Sequence, residues 1–137
     1  MTLRCSLPVG VLLLWIAIAG CGSSDDRAAA TAVAERFFAA LASGDGATAC
    51  DQLSVDTRKK LEQDAQKPCR EAIGDAKIQP GALAAIELFS TNAKADLVNG
   101  DSAFLSLTAE GWRLSAVGCK PADGPPSDVP MDCELEA

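Results

Sequence analysis

The hydrophobic pattern changes period near residue 80, and that change limits the fold more than any other feature. Upstream, Ala30, Val33, Phe37, Ala40 and Leu41 recur at three- and four-residue spacing, and Phe38 widens the stripe. This predicts an amphipathic helix over Arg27 to Ser43. Gly44-Asp45-Gly46 stops it. A short helix over Ala47 to Leu53 follows. Ser54 then reads as the N-cap of a helix over Val55 to Gln66, with Leu61 as its clearest core residue. Pro68 restarts one more turn, with Cys69, Ala72 and Ile73 facing inward and Gly74 closing it.

Downstream the period is two. Leu83 to Phe89 reads as a strand, Ser90-Thr91-Asn92 as a turn, and Ala93 to Leu97 alternates small or apolar with charged residues. Asn99-Gly100 is a strong hairpin signal. In Ser102 to Ala109, the residues Ala103, Leu105 and Leu107 share one face, and Phe104, Ser106 and Thr108 the other. After Glu110-Gly111, the set Trp112, Leu114 and Ala116 alternates with Arg113, Ser115 and Val117. Four prolines between Lys120 and Pro130 indicate a loop, and Cys133 to Glu136 a last edge strand. Helices first and an antiparallel meander afterwards make an α+β fold, with a curved sheet wrapped over the first helix. The large residues Phe37, Phe38, Phe104 and Trp112 are expected either to pack between that helix and the sheet or to line a pocket at the open end of a cone. Packing is the favoured reading. Arg113, opposite Trp112, is expected in solvent.

The start of the chain has the parts of an export signal. Arg4 gives the positive start, Val9 to Ala19 the apolar core, and Ala19-Gly20 a small pair. Leu7 to Gly20, with Pro8 and Gly10 inside it, is shorter than the roughly 20 residues of a bilayer-spanning helix. Ile18-Ala19-Gly20-Cys21 resembles the lipobox of bacterial lipoprotein signal peptides. The resemblance implies cleavage after residue 20 and acylation, palmitate included, of Cys21. The organisation expected is a signal peptide over 1–20, a flexible tether over 21–26 and one domain over 27–137. Cys5 would leave with the leader. The lipid would place the domain on the extracytoplasmic face of the cell membrane. An ordinary signal peptide or a retained membrane helix are the competing readings.

Cys50, Cys69, Cys119 and Cys133 remain, and an even count in an exported domain reads as disulfides. Three pairings are open; Cys50–Cys69 with Cys119–Cys133 is favoured because each closes a short loop. Zinc is disfavoured, since no two cysteines stand close as in C-x2-C and the chain has no histidine.

The formal net charge is −7; without Arg4, 11 basic residues face 19 acidic ones, which is −8. An acidic chain without a basic cluster is a poor partner for nucleic acid. The absence of histidine and tyrosine removes the commonest general base and metal ligand. Serines such as Ser54 and Ser115 therefore have no histidine to activate them. Asp96 and Asp101 are expected in solvated strand or turn positions rather than as buried acids. Glu62, Asp64, Glu71 and Asp75 follow no calcium-loop spacing and read as a charged helix face.

Ala32 to Asp45 (helix ending in Gly-Asp), followed by Ala93 to Asp101 and by Glu110-Gly111-Trp112-Arg113-Leu114, is similar to the NTF2-like, cystatin-like α+β superfamily. Gly118-Cys119-Lys120-Pro121 with Met131 to Glu136 resembles the tail of small exported bacterial lipoproteins. The fold implied hosts enzymes and binding modules alike. Its ketosteroid-isomerase-like members use tyrosine in an oxyanion hole, and its scytalone-dehydratase-like members use histidine and tyrosine. The expectation is a non-catalytic, membrane-anchored binding module, accessory or regulatory to a membrane system, with a protein partner in the envelope and no cofactor. The alternative is a small hydrophobic-ligand binder or isomerase-like enzyme using the apolar cone. The Pro-rich loop 120–130 reads as a spacer, with partner docking as its rival role.

Overall fold

The computed structural model describes residues 23–121 and 131–137. The segment 1–20 expected as a signal peptide, Cys21 and most of the expected Pro-rich loop (122–130) lie outside the described residues. Four helices precede five strands: α1 (Ser23–Ser43), α2 (Gly46–Gln52), α3 (Val55–Ala65), α4 (Cys69–Asp75), β1 (Leu83–Phe89), β2 (Asn92–Leu97), β3 (Ser102–Thr108), β4 (Gly111–Pro121) and β5 (Met131–Glu136). The strands form one antiparallel sheet in the order β1-β2-β3-β4-β5, each paired with its neighbour in sequence. This is the α+β architecture, helices followed by a meander, that the change of period predicts.

α1 starts four residues before Arg27, so the expected tether loses Ser23 to Asp26 to the helix. The cause is partly local and partly tertiary. Asp25 and Asp26 occupy the first turn, where carboxylates favour the positive end of the helix dipole. Asp26 Oδ1 also accepts a hydrogen bond from Trp112 Nε1 at 3.2 Å, which holds the first turn against β4. The next residue, Arg27, donates from its guanidinium to the Ile86 carbonyl on edge strand β1.

The buried side of α1 is Ala30, Val33, Ala34, Phe37, Phe38 and Ala40. It packs over β1, β2 and β4. Gly44, at φ +73°, supplies the left-handed residue that ends the helix, and its amide donates to Leu41 O. Asp45 then caps α2 by accepting from Thr48 N at 3.0 Å; the Thr48 side chain first and this amide second hold its carboxyl below the usual range. Gly46 lets α2 pass close to α4: a Cβ there would overlap the Arg70 carbonyl. Cys50 and Cys69 bridge these two helices with a Cα separation of 6.1 Å.

On the sheet, Ala93, Ala95, Leu97, Ala103, Leu105 and Leu114 join the helices in one core. Side chains such as Phe37, Leu105 and Leu114, fully buried, each contribute about 1.5–3 kcal/mol. The expected alternation fails at two places in β4. Between the pairs Leu105↔Leu114 and Phe104↔Ala116, β4 carries an extra residue, Ser115. Between Phe104↔Ala116 and Ser102↔Cys119 it carries another, at Val117-Gly118. Such bulges shift the phase of the side chains and bend the strand. Val117 is consequently buried in the core rather than on the opposite face from Trp112 and Leu114. Gly118 takes φ +65° at the second bulge. Beyond it, Cys119 pairs with Cys133 across β4 and β5, their Cα atoms 3.9 Å apart. Lys120 and Pro121, expected in the loop, extend β4 because β5 begins two residues early, at Met131, and pairs with them.

Candidate functional site

A recess of about 430 Å³ opens where α1, the α2–α3 junction and the β3–β4 hairpin meet. Its lining includes Arg36, Asp51, Gln52, Val55, Arg58, Glu110 and Arg113. Three locks build it. Ser54 N donates to Leu114 O at 2.8 Å. Thr57 Oγ1 donates to Ser115 O at 2.9 Å. Ser54 Oγ caps α3 by accepting from Thr57 N at 3.1 Å. Together they fasten the start of α3 to β4, which brings Arg58 beside the same opening as Arg113. Thr57, unexposed at the centre of this junction, explains why a polar residue is buried there: its hydroxyl has partners at Ser54 and Ser115.

The hairpin is fixed as firmly. Gly111 turns at φ +97°. Thr108 Oγ1 lies 2.8 Å from Gly111 O and 3.0 Å from Glu110 Oε2. Arg113, expected in solvent, is half-buried and donates from Nη1 to the Trp112 carbonyl at 2.7 Å. Arg36 sits on the exposed side of α1 immediately before buried Phe37. Three of the chain's six arginines thus share one recess in a protein of net charge −7. Among the described residues, none of the three forms an ion pair; the five ion pairs use other cations. Guanidinium stays protonated in proteins and only donates, so the three arginines can hold and orient an acceptor but cannot themselves abstract a proton.

The four large residues singled out by sequence divide. Phe37, Phe38 and Trp112 are at most 4% exposed and belong to the core. Phe37 and Phe38 meet edge to face at 5.1 Å. Phe104 does not join them. It falls out of phase with buried Ala103 and Leu105 and lines a shallow recess with Ser115, Ala116, Met131, Cys133 and Glu136 on the other face of the sheet. Leu107, expected inside with Leu105, is 42% exposed.

The candidate carboxylates are held by local structure. Glu62 Oε1 accepts from Cys69 N. Asp64 pairs with Lys60, Asp75 with Lys67 and Glu71 with Arg70. Asp96 is half-buried, 2.9 Å from Lys94 Nζ, and accepts from Ser102 Oγ at 2.7 Å; the Ser102 bond first and Lys94 second lower its pKa. Asp101 departs from the solvated position expected of it: it is 6% exposed, with Lys120 Nζ 3.9 Å away. Its burial follows from the Asn99-Gly100 turn, where its amide donates to Asn99 Oδ1 and its carbonyl accepts from Leu97 N. Among the described residues no three acidic or cysteine side chains gather as metal ligands. No helix of these residues is long and apolar enough to cross a membrane.

Sequence reasoning missed the arginine recess. Its arginines stand 22 and 55 positions apart, with no shared period. Only the packing of α1, α3 and β4 around one opening unites them. No family model, curated protein or solved structure matches the chain.

Proposed function

We propose that this chain is a lipoprotein of the cell envelope, carrying a non-catalytic binding domain held by acylated Cys21 on the extracytoplasmic face of the cell membrane. The observation that carries the reading is Ile18-Ala19-Gly20-Cys21 at the end of a short apolar segment. Two cysteine pairs within disulfide reach support it, because such bonds persist in oxidising compartments. The helix-then-meander order supports an NTF2-like reading of the domain. The role is tethering: confining the domain near the membrane raises its effective concentration toward partners of a membrane system. Burial of Phe37, Phe38 and Trp112 in the core favours a binding module over a hydrophobic-ligand enzyme built on the cone.

Cys21→Ser tests the anchor. The wild-type protein should label with palmitate and fractionate with membranes, and the variant should lose the label. Equal labelling of the two would refute acylation at this cysteine.

A further inference from the structure

We propose that the recess of Arg36, Arg58 and Arg113 binds a phosphate ester bearing hydroxyl groups. This deepens the binding-module reading and rests on it, but it does not depend on the lipid anchor.

The guanidiniums come from three elements, α1, α3 and β4. A carboxylate offers two oxygens and is satisfied by one guanidinium fork. A phosphate offers more oxygens in a tetrahedral arrangement and accepts forks from several directions. The first turn of α3, 11 residues long, borders the recess through Val55, so its dipole adds positive potential in the same sense. Asp51 and Glu110 share the opening. They are acceptors only, and a bare anion would be repelled by them. A ligand whose phosphate meets the arginines and whose hydroxyls donate to these carboxylates satisfies both sets. The volume, about 430 Å³, also exceeds what inorganic phosphate fills and lies in the range of small-ligand sites. A soluble polyol phosphate and a phosphatidylglycerol headgroup share this chemistry.

The full chain, purified in detergent, would be titrated calorimetrically with glycerol 3-phosphate and, separately, with short-chain phosphatidylglycerol. Arg36→Gln, Arg58→Gln and Arg113→Gln should each weaken binding about tenfold or more, the worth of one charge-assisted contact. Arg70→Gln, on α4 and outside the recess, should leave it unchanged. Arg58→Lys keeps the charge but loses the fork, so it should fall between wild type and Arg58→Gln; near-ultraviolet circular dichroism would confirm that each variant is folded. Saturable, arginine-dependent binding of glycerol 3-phosphate assigns a soluble ester. The same dependence with the lipid alone assigns a headgroup. Binding of neither, or binding that folded recess variants retain, or equal loss in Arg70→Gln, overturns the proposal. These readouts do not use membrane attachment, so an unacylated Cys21 would leave them intact.

Discussion

The two faces of the sheet are built by different rules. The inner face, Ala93, Ala95, Leu97, Ala103, Leu105, Trp112 and Leu114, is apolar and lies in the core with the helices. The outer face, with Lys94, Asp96, Phe104 and Ser106, is half-buried and carries hydrogen bonds and an ion pair instead. On the inner face, stability follows the area removed from water. On the outer face, cross-strand polar pairs set the register and contribute little each. One strand, β4, changes the rule partway: up to its first bulge it alternates, and beyond Ser115 the run Ala116 to Cys119, which holds the second bulge, is buried without interruption.

The sharpest break between the faces should come from deleting one aromatic ring on each. Trp112→Ala removes a buried ring and its hydrogen bond to Asp26, and should cost about 3–5 kcal/mol in urea denaturation. Phe104→Ala should cost about 1 kcal/mol, as expected for a half-buried ring. Similar losses for both would mean that the two faces are energetically alike.

A smaller effect should appear where the phase of β4 resets. Gly118→Ala forces a side chain into φ +65° and sets its Cβ 3.0 Å from Glu134 Cβ and Cγ. The expected loss is about 1–3 kcal/mol. A thermal melt in which Gly118→Ala matches wild type would show that the bulge is not fixed by this residue.

The weakest effect should be the outer-face carboxylate. The folded state lowers the Asp96 pKa through Ser102 and then Lys94, so it stabilises the ionised form. That contribution is complete above the ordinary aspartate value, about 4, and is lost as pH falls through the lower folded value. Being partly solvated, the pair should contribute under about 1 kcal/mol. Asp96→Asn should therefore lower stability slightly at neutral pH and narrow its difference from wild type in acid. A difference independent of pH between 2 and 7, measured by urea midpoints at about one-unit steps, would assign the effect to packing.

Sequence pattern located the elements well, and physical reasons account for the departures. The stripe Ala30, Val33, Phe37, Ala40 and the alternation in β2 are local signals, and both elements formed where they indicated. The start of α1 was illegible because Ser23-Ser24-Asp25-Asp26 reads as solvated chain. Its helical state owes as much to a hydrogen bond from Trp112, 86 positions away, as to its own residues. The bulges were hidden for a related reason: an extra residue in one strand is visible only against its partner. Gly118 was the single local hint. The cysteine pairs were accessible because the shortest loops sufficed, whereas the arginine recess required knowledge of three elements at once.

The pairing of the four bridged cysteines follows chain order, first with second and third with fourth, across 19 and 14 positions. A polypeptide threaded outward from its N-terminus would present each partner directly after its mate. If the chain is exported and Cys21 is acylated, as proposed, an oxidase that joins cysteines in the sequence it meets them would reach this connectivity without shuffling, and maturation should be indifferent to loss of a disulfide isomerase.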